Sequence, residues 1–282
     1  MTKIPGLLAA LCLLCAAPAA ARDVAAVLAK GTGPYFETYL AFQRAMGRPV
    51  TPFDLSEDEK PRLPSGLKVA VSFGSKAAAL KYPAGTTVVF TLAPGYIPGG
   101  GAKYRSVATL PDPALALPAY KRLQPGLRRL TVFHLKGSMG PYLMKISSSA
   151  TGAGVEVNPV SLSSPDEFPE KLREMTGRAD AFWLLSDPPL INRESMMILS
   201  KFSCSNRIPF YAPTAGLLRL GATAAFGPDF GGIGGAAAAA VKKALAGEEL
   251  PEVTYVENPG MSVNLEAAEK CGFPLAKEVF PK

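Results

Sequence analysis

The chain has 282 residues, of which 48% are hydrophobic and 19% are charged, and its formal net charge is +7. This apolar content is enough for one large domain or two ordinary ones, and it excludes an intrinsically disordered chain. The densest basic pairs, Arg128-Arg129 and Lys242-Lys243, lie outside any stripe of interleaved aromatic residues of the kind that single-stranded nucleic acid requires, so no nucleic-acid partner is expected.

Residues 1–21 have the three regions of a secretory signal peptide. Lys3 gives the positive n-region, residues 4–17 give a short apolar h-region, and Ala19-Ala20-Ala21 gives a small-residue cleavage site. We therefore expect cleavage after Ala21 and a soluble periplasmic protein.

Short β-branched runs alternate with helical patterns along the first ninety residues. Strands are predicted at residues 24–28, 68–73 and 86–92, and helices at 35–46 and 76–82. Residues 93–126 are rich in proline and glycine, and loops of this length are uncommon inside compact domains. This stretch therefore predicts a boundary between two lobes.

The same alternation continues to the end of the chain. Strands are predicted at residues 130–135, 154–160, 179–185, 208–212, 223–226 and 254–257, and helices at 141–150, 165–176, 192–203 and 233–246. Ser164, Pro165 and Glu167 have the spacing of a capping box with proline in the first turn. Strands joined through helices indicate parallel sheets with helices on both faces, so the predicted fold class is α/β.

Few residues are suited to catalysis or metal binding. His134 is the single histidine and lies within an apolar strand, which does not favour a Ser-His-Asp hydrolase. Two cysteines, Cys204 and Cys271, remain after export, too few for a zinc cluster. They can form one disulfide or stay as separate thiols, and spacing does not decide between these states. We expect no enzyme activity, no catalytic residue, no metal and no cofactor.

One motif favours a different interpretation. Gly232, Gly234 and Ala237 fit G-x-G-x-x-A between a strand and a helix, and Glu257 follows about twenty residues later, as in a dinucleotide site. Against this, the motif lies near the end of the chain with no second βαβ half after it. A dinucleotide-dependent oxidoreductase is therefore kept as an alternative.

Four segments of the second half resemble a known family, the solute-binding proteins of ABC importers with the type I periplasmic-binding-protein fold, in particular the group for tryptophan- and tyrosine-like substrates. They are residues 178–188 (RADAFWLLSDP), 206–214 (NRIPFYAPT), 221–230 (GATAAFGPDF) and 262–272 (SVNLEAAEKCG). The resemblance implies two similar lobes, each a parallel sheet flanked by helices, with a ligand cleft between them. Lobe 1 would comprise residues 22–126 and 228–257, and lobe 2 residues 127–227 and 258–282. Both cysteines then fall in lobe 2, which favours a disulfide.

By position, the resemblance also implies a set of ligand-binding residues in strand-end loops: Gly74, Ser75, Ala93, Pro94, Gly137, Ser138, Asp187, Thr214 and Asp229. Ser75 and Ser138 could donate to a ligand carboxylate beside helix N-termini, and Asp187 or Asp229 could pair with a ligand amine. The alternative for all four is helix capping.

The function implied is a monomeric binding protein that captures a small solute, amino-acid-like or aromatic, and delivers it to a membrane permease. A ligand-sensing subunit for a membrane receptor is the alternative within the same fold, and the identity of the solute stays open.

Overall fold

The computed structural model describes residues 23–99, 101–276 and 278, and the predicted signal peptide lies outside them. Within these residues the chain forms two six-stranded sheets flanked by helices, which we call lobe 1 and lobe 2. The predicted α/β class is confirmed. None of the helices in these residues combines the length and the apolar character that a membrane span requires.

The sheet of lobe 1 is parallel throughout. Its strands are β1 Val24–Leu28, β2 Pro52–Asp54, β3 Val69–Phe73, β4 Thr87–Thr91, β5 Lys103–Val107 and β11 Val253–Thr254. Their order in space is β11, β5, β4, β3, β1, β2, and every neighbouring pair is parallel. Since β11 comes from near the end of the chain, the polypeptide leaves this lobe and later returns to it.

The sheet of lobe 2 is parallel except at one edge. Its strands are β6 Arg129–Leu135, β7 Glu156–Leu162, β8 Ala181–Leu184, β9 Phe210–Ala212, β10 Ala224–Gly227 and β12 Gly260–Val263. Their order is β12, β10, β9, β8, β6, β7, and β12 runs antiparallel to β10. Strand β12 was not predicted.

The helices pack on both faces of the two sheets. They are α1 Gly33–Met46, α2 Ser75–Ala78, α3 Pro113–Leu123, α4 Gly140–Ala153, α5 Phe168–Glu174, α6 Arg193–Asn206, α7 Phe230–Leu245 and α8 Leu265–Cys271. Several ends follow local sequence signals. Gly47 ends α1 in the left-handed conformation, and the Asn192 side chain caps α6 by accepting from the Ser195 N–H at 2.9 Å.

The predicted capping box at Ser164 forms only in part. The segment begins with a short 3-10 helix, Pro165–Glu167, and the Ser164 hydroxyl accepts from the Asp166 N–H at 3.3 Å. The Glu167 carboxylate accepts from the Ser163 N–H at 3.3 Å, so the return bond goes to the residue before Ser164.

Helices α1 and α7 make a close contact in the core of lobe 1. A Cβ atom at Gly234 would lie 2.5 Å from the Thr38 carbonyl oxygen and 2.6 Å from the Phe42 nitrogen, both in the backbone of α1. Only glycine permits this approach, because real Cβ atoms are not found so near other heavy atoms. Gly234 is therefore a packing residue, which accounts for this part of the glycine motif without a dinucleotide.

The proline-rich stretch that predicts a lobe boundary contains a strand and a helix that the sequence patterns did not predict. It contains β5, which pairs with β4 and β11, and α3, whose buried side chains Leu117, Tyr120 and Leu123 pack in the core of lobe 2. The prolines obscured the helix, although Pro113 lies in its first turn, where proline is tolerated. We therefore propose that the lobes divide before α3, near Leu110, instead of at residue 126.

A disulfide fastens the end of the chain to lobe 2. Cys204 on α6 is bonded to Cys271 on α8, with their Cα atoms 4.8 Å apart. Beyond α8, the Ala276 N–H donates to the Leu123 carbonyl at the end of α3 at 2.8 Å. The family resemblance was right to favour this bridge.

The carboxylate of Asp180 joins the starts of β6 and β8. It accepts hydrogen bonds from the Arg129 guanidinium at 2.8 Å and from the N–H groups of Arg128 and Arg129 at 2.9 and 2.8 Å. Burial alone would raise the pKa of Asp180, but these hydrogen bonds and the arginine charge lower it below the ordinary value of 3.8.

Candidate ligand cleft

The loops at the carboxyl ends of the parallel strands bring the two lobes together. Gly95, in the loop after β4, lies beside Ser138, in the loop after β6: a Cβ built on Gly95 would be 3.7 Å from the Ser138 Cβ. Ligands of open α/β sheets bind at this edge, where the backbone N–H groups of helix N-termini are exposed. The two facing loop sets therefore define a candidate ligand cleft between lobe 1 and lobe 2.

On lobe 1, Gly74 is a buried turn residue. Its N–H donates to the Thr91 carbonyl at 2.8 Å, and its φ is 102°. A Cβ there would lie 2.7 Å from the Ala29 Cβ and 2.8 Å from the Tyr35 Cε1. Glycine is required here for both its conformation and its space. The Tyr35 ring therefore packs directly on Gly74, a predicted cleft residue. The sequence patterns did not indicate this role for Tyr35.

Ser75 is exposed and opens the short helix α2, whose cap receives no side-chain hydrogen bond. The helix-capping alternative for Ser75 is thus not realised in this structure.

The loop after β4 supplies the other predicted residues of lobe 1. Ala93 is buried and Pro94 is half-buried. Leu92 before them has a φ of 53°, a left-handed conformation that is strained for leucine. Ile97 further along this loop is 81% exposed. The loop is thus held in one shape at its base and presents an apolar tip.

On lobe 2, Gly137 and Ser138 form a tight turn after β6. Gly137 has a φ of 79°, and the Ser138 hydroxyl donates to the Leu135 carbonyl at 2.8 Å. The next residue, Met139, also has a positive φ of 59°. Because the Ser138 proton is already engaged, its free lone pairs make it an acceptor toward a ligand in this conformation.

Asp187 is 3% exposed and holds the loop after β8 against the end of β6. One of its carboxylate oxygens, Oδ2, accepts from the Leu135 N–H at 2.8 Å. The salt bridges of the described residues do not include Asp187. A buried carboxylate with a single neutral donor is under-compensated, so the group favours a cation nearby.

Thr214 and Asp229 lie beside the strand ends of β9 and β10. Asp229 is exposed and caps α7, since its Oδ1 accepts from the Gly232 N–H at 2.6 Å. Thr214 precedes the 3-10 helix Ala215–Leu220 without a side-chain cap bond. The loops that carry them lie close together, because a Cβ built on Gly227 would be 3.7 Å from the Pro213 carbonyl oxygen. The capping alternative is therefore confirmed for Asp229.

Residues of the types found in a hydrolytic triad meet here without forming one. His134 Nδ1 lies 3.0 Å from the Leu135 carbonyl oxygen, which also accepts from Ser138, while Asp187 binds the Leu135 N–H. A triad requires the serine hydroxyl to donate to histidine and the carboxylate to orient that histidine. In this site all three side chains are engaged with one backbone residue instead.

The described residues also contain no group of three or more histidine, cysteine, aspartate or glutamate side chains placed to hold a metal ion.

Comparison with known proteins identifies both a family and a fold. The model of the family described as ABC transporter substrate binding protein matches residues 118–281. No curated protein matches the chain significantly.

Among solved structures, the ABC domain in complex with L-Trp from Streptococcus pneumonia has a TM-score of 0.63 at 15% identity, covering 91% of this chain and 96% of that one. A ligand-free, open substrate binding protein with adhesive properties from Clostridium difficile has a TM-score of 0.64 at 15% identity, covering 89% and 95%. A conserved domain protein from Vibrio cholerae has a TM-score of 0.62 at 15% identity, covering 92% and 97%. At this identity the structures establish a shared fold.

Proposed function

The chain belongs to the family of ABC transporter substrate binding proteins, and from this membership we propose that it is the periplasmic solute-binding component of an importer. It would act as a monomer that closes its lobes on a small solute and presents it to a membrane permease. It is a binding protein and not an enzyme. The predicted leader, which addresses the chain to the periplasm, agrees with this role.

The observation that carries the proposal is the pairing of two strand-end loop sets across the lobes, with Gly95 beside Ser138. Each lobe presents its helix N-termini and turn residues to the same gap, and the chain passes between the lobes three times, after β5, after β10 and after β11. Such connections allow hinge closure around a ligand. A cleft between lobes is also where small-molecule sites concentrate.

We further propose that the solute carries an amino group and is amino-acid-like or a small aromatic. Asp187 supports this, because it is a buried carboxylate whose side-chain hydrogen bond, among the described residues, comes from the neutral Leu135 N–H. A ligand ammonium would supply the missing positive charge. The structurally similar protein from Streptococcus pneumonia was solved with L-Trp, which has such a group.

The test is a thermal-shift screen of amino acids and small aromatic compounds on the chain without residues 1–21. Unfolding and refolding first removes any solute carried through purification. A ligand at one hundred times its Kd stabilises the folded state by about 2.7 kcal/mol, which shifts Tm by roughly 5–10 °C in a protein of this size. A library that contains both compound classes and produces no shift would contradict the proposal.

Two conservative variants locate the binding site. Asp187→Asn keeps an oxygen acceptor for the Leu135 N–H and removes the charge, so we expect about tenfold or weaker binding of an amine ligand with little change in the ligand-free Tm. Asp229→Asn is the matched control, because asparagine also caps helices. Equal loss of affinity in both variants would refute the role of Asp187.

A further inference from the structure

The region between the lobes contains three crossings of the chain, and their limits are set by the two sheets. The first crossing leaves lobe 1 at Ala108, whose N–H donates to the Thr254 carbonyl at 2.9 Å. The second and third meet lobe 2 together, because Gly227 at the end of β10 pairs with Gly260 at the start of β12. A rotation of the lobes must bend the backbone between these limits.

Helix α4 of lobe 2 holds the lobe-2 end of the first crossing. The Tyr142 hydroxyl donates to the Pro111 carbonyl at 2.8 Å, and the Lys145 ammonium lies 2.9 Å from the Asp112 carboxylate. Asp112 also caps α3, since its Oδ1 accepts from the Ala114 N–H at 3.0 Å. With these bonds the chain from Pro111 onward moves with lobe 2.

The same lysine also contacts the lobe-1 end of the third crossing. The Lys145 Nζ lies 3.9 Å from the centroid of the Tyr255 ring. Tyr255 directly follows β11, which is paired with β5 in the sheet of lobe 1. An ammonium at this distance from a ring is attracted to its negative face. Lys145 is therefore one charged group that binds elements of both lobes at the hinge.

We propose that Lys145, oriented by Asp112 and seated on the Tyr255 ring, is a brace that sets the balance between lobe arrangements before any solute binds. The inference rests on the proposed hinge closure. The contact between Lys145 and Tyr255 joins parts that lie on opposite sides of the bending backbone, so it cannot persist unchanged through a rotation. It favours the arrangement in which it forms over every other.

The size of the effect follows from the contact. A cation–π pair at a partly exposed site changes an equilibrium by roughly three- to tenfold. Because the apparent affinity of a closing protein scales with the population of its binding-competent state, solute affinity changes by up to the same factor.

The experiment measures lobe separation directly and needs no ligand. Spin labels are placed at Ala84→Cys, in the exposed turn before β4 of lobe 1, and at Thr176→Cys, in the exposed turn before β8 of lobe 2. The native pair Cys204–Cys271 is already bonded and does not take the label. Distance distributions are then recorded by pulsed electron resonance for the ligand-free protein.

Tyr255→Leu removes the ring face and Tyr255→Phe retains it, so the two form a matched pair. We expect Tyr255→Leu to lower the ratio of molecules inside the distance peak of the unaltered protein to molecules outside it by roughly three- to tenfold. Tyr255→Phe should leave the distribution in place. Lys145→Met tests the other partner and should reproduce the leucine result.

Unchanged distributions in both Tyr255→Leu and Lys145→Met, or equal shifts in Tyr255→Leu and Tyr255→Phe, would overturn the brace. If the solute screen fails while these distributions behave as expected, the brace stands and the proposed solute is wrong. If a solute binds while the distributions stay unchanged, the proposed function stands and the brace is wrong.

Discussion

Two neighbouring glycines of α7, Gly234 and Gly235, allow a direct test of the packing between α1 and α7 in lobe 1. Gly234 and Gly235 are neighbours in one helix, yet a Cβ at Gly234 would meet three atoms of α1 at 2.5–2.7 Å, whereas a Cβ at Gly235 would meet no atom within 4 Å. Alanine is favoured over glycine in a helix by about 1 kcal/mol wherever space allows. The two substitutions should therefore have opposite effects.

The magnitude follows from the geometry. To restore an ordinary carbon contact of about 3.5 Å, α1 and α7 would have to separate by about 1 Å along their buried seam. Overpacking of this kind costs about 1–3 kcal/mol, which exceeds the helix-propensity gain in most of that range. We expect Gly234→Ala to lower the free energy of unfolding by about 1–2 kcal/mol and Gly235→Ala to raise it by up to about 1 kcal/mol.

The assay compares thermal and urea unfolding of the two variants. For a protein of this size each kcal/mol shifts Tm by about 2–4 °C, so a difference of about 1–3 kcal/mol separates the two variants by roughly 2–12 °C. If Gly234→Ala melts at or above the unaltered protein, the packing explanation of the motif is refuted. A dinucleotide function, by contrast, predicts saturable dinucleotide binding that Gly234→Ala abolishes.

Three further predictions concern stability and binding. Replacing Cys204 and Cys271 by serine opens a bridge that spans 67 residues, and the chain-entropy relation gives a cost of about 4 kcal/mol; urea unfolding measures it, and a midpoint equal to that of the oxidised protein would contradict it. Asp187→Ala should cost about 1–3 kcal/mol, because it leaves the half-buried Leu135 N–H without its partner, whereas Asp187→Asn should cost little; equal melting of both variants would refute this hydrogen-bond assignment. Since the pKa of Asp180 is lowered in the folded state, its contribution is fully present above the unfolded value near 3.8 and is lost as pH falls through the lower folded value. Asp180→Asn should therefore lose less stability than the unaltered protein between pH 5 and pH 2 (about the range over which carboxylates titrate), as followed by denaturant unfolding at each pH.

The strands that form both cores could be predicted because they are short β-branched runs bounded by turn residues. Predictions failed where local signals conflict with tertiary packing. Helix α3 carries Pro118 in its interior and Pro113 in its first turn, and it is held by the burial of Leu117 and Tyr120 against lobe 2. No rule of local propensity weighs such contacts. Strand β12 likewise depends on β10, its antiparallel partner.

In the candidate cleft, too, some features could be predicted from local sequence and others depend on tertiary packing. The positions of its loops follow from strand ends, so the sequence alone places Gly74 and Ser138 after the carboxyl ends of their strands. What each side chain bonds to could not be predicted, since Asp187 reaches a backbone group 52 residues away and Lys145 reaches Asp112 across 33. Such pairings are set by the fold, and the spacing of residues in the sequence does not predict them.

The internal bonding of the cleft has a consequence for how affinity is set. Ser138, Asp187 and Asp229 each make a hydrogen bond to a backbone group of the protein, so the loops that carry them are held in place before a solute arrives. Ordering loops at the moment of binding costs affinity, and this cleft avoids much of that cost. The larger variable is then the population of the lobe arrangement that accepts solute, which depends on the three crossings. Substitutions at the hinge, far from the solute, should therefore change affinity as strongly as many substitutions in the cleft.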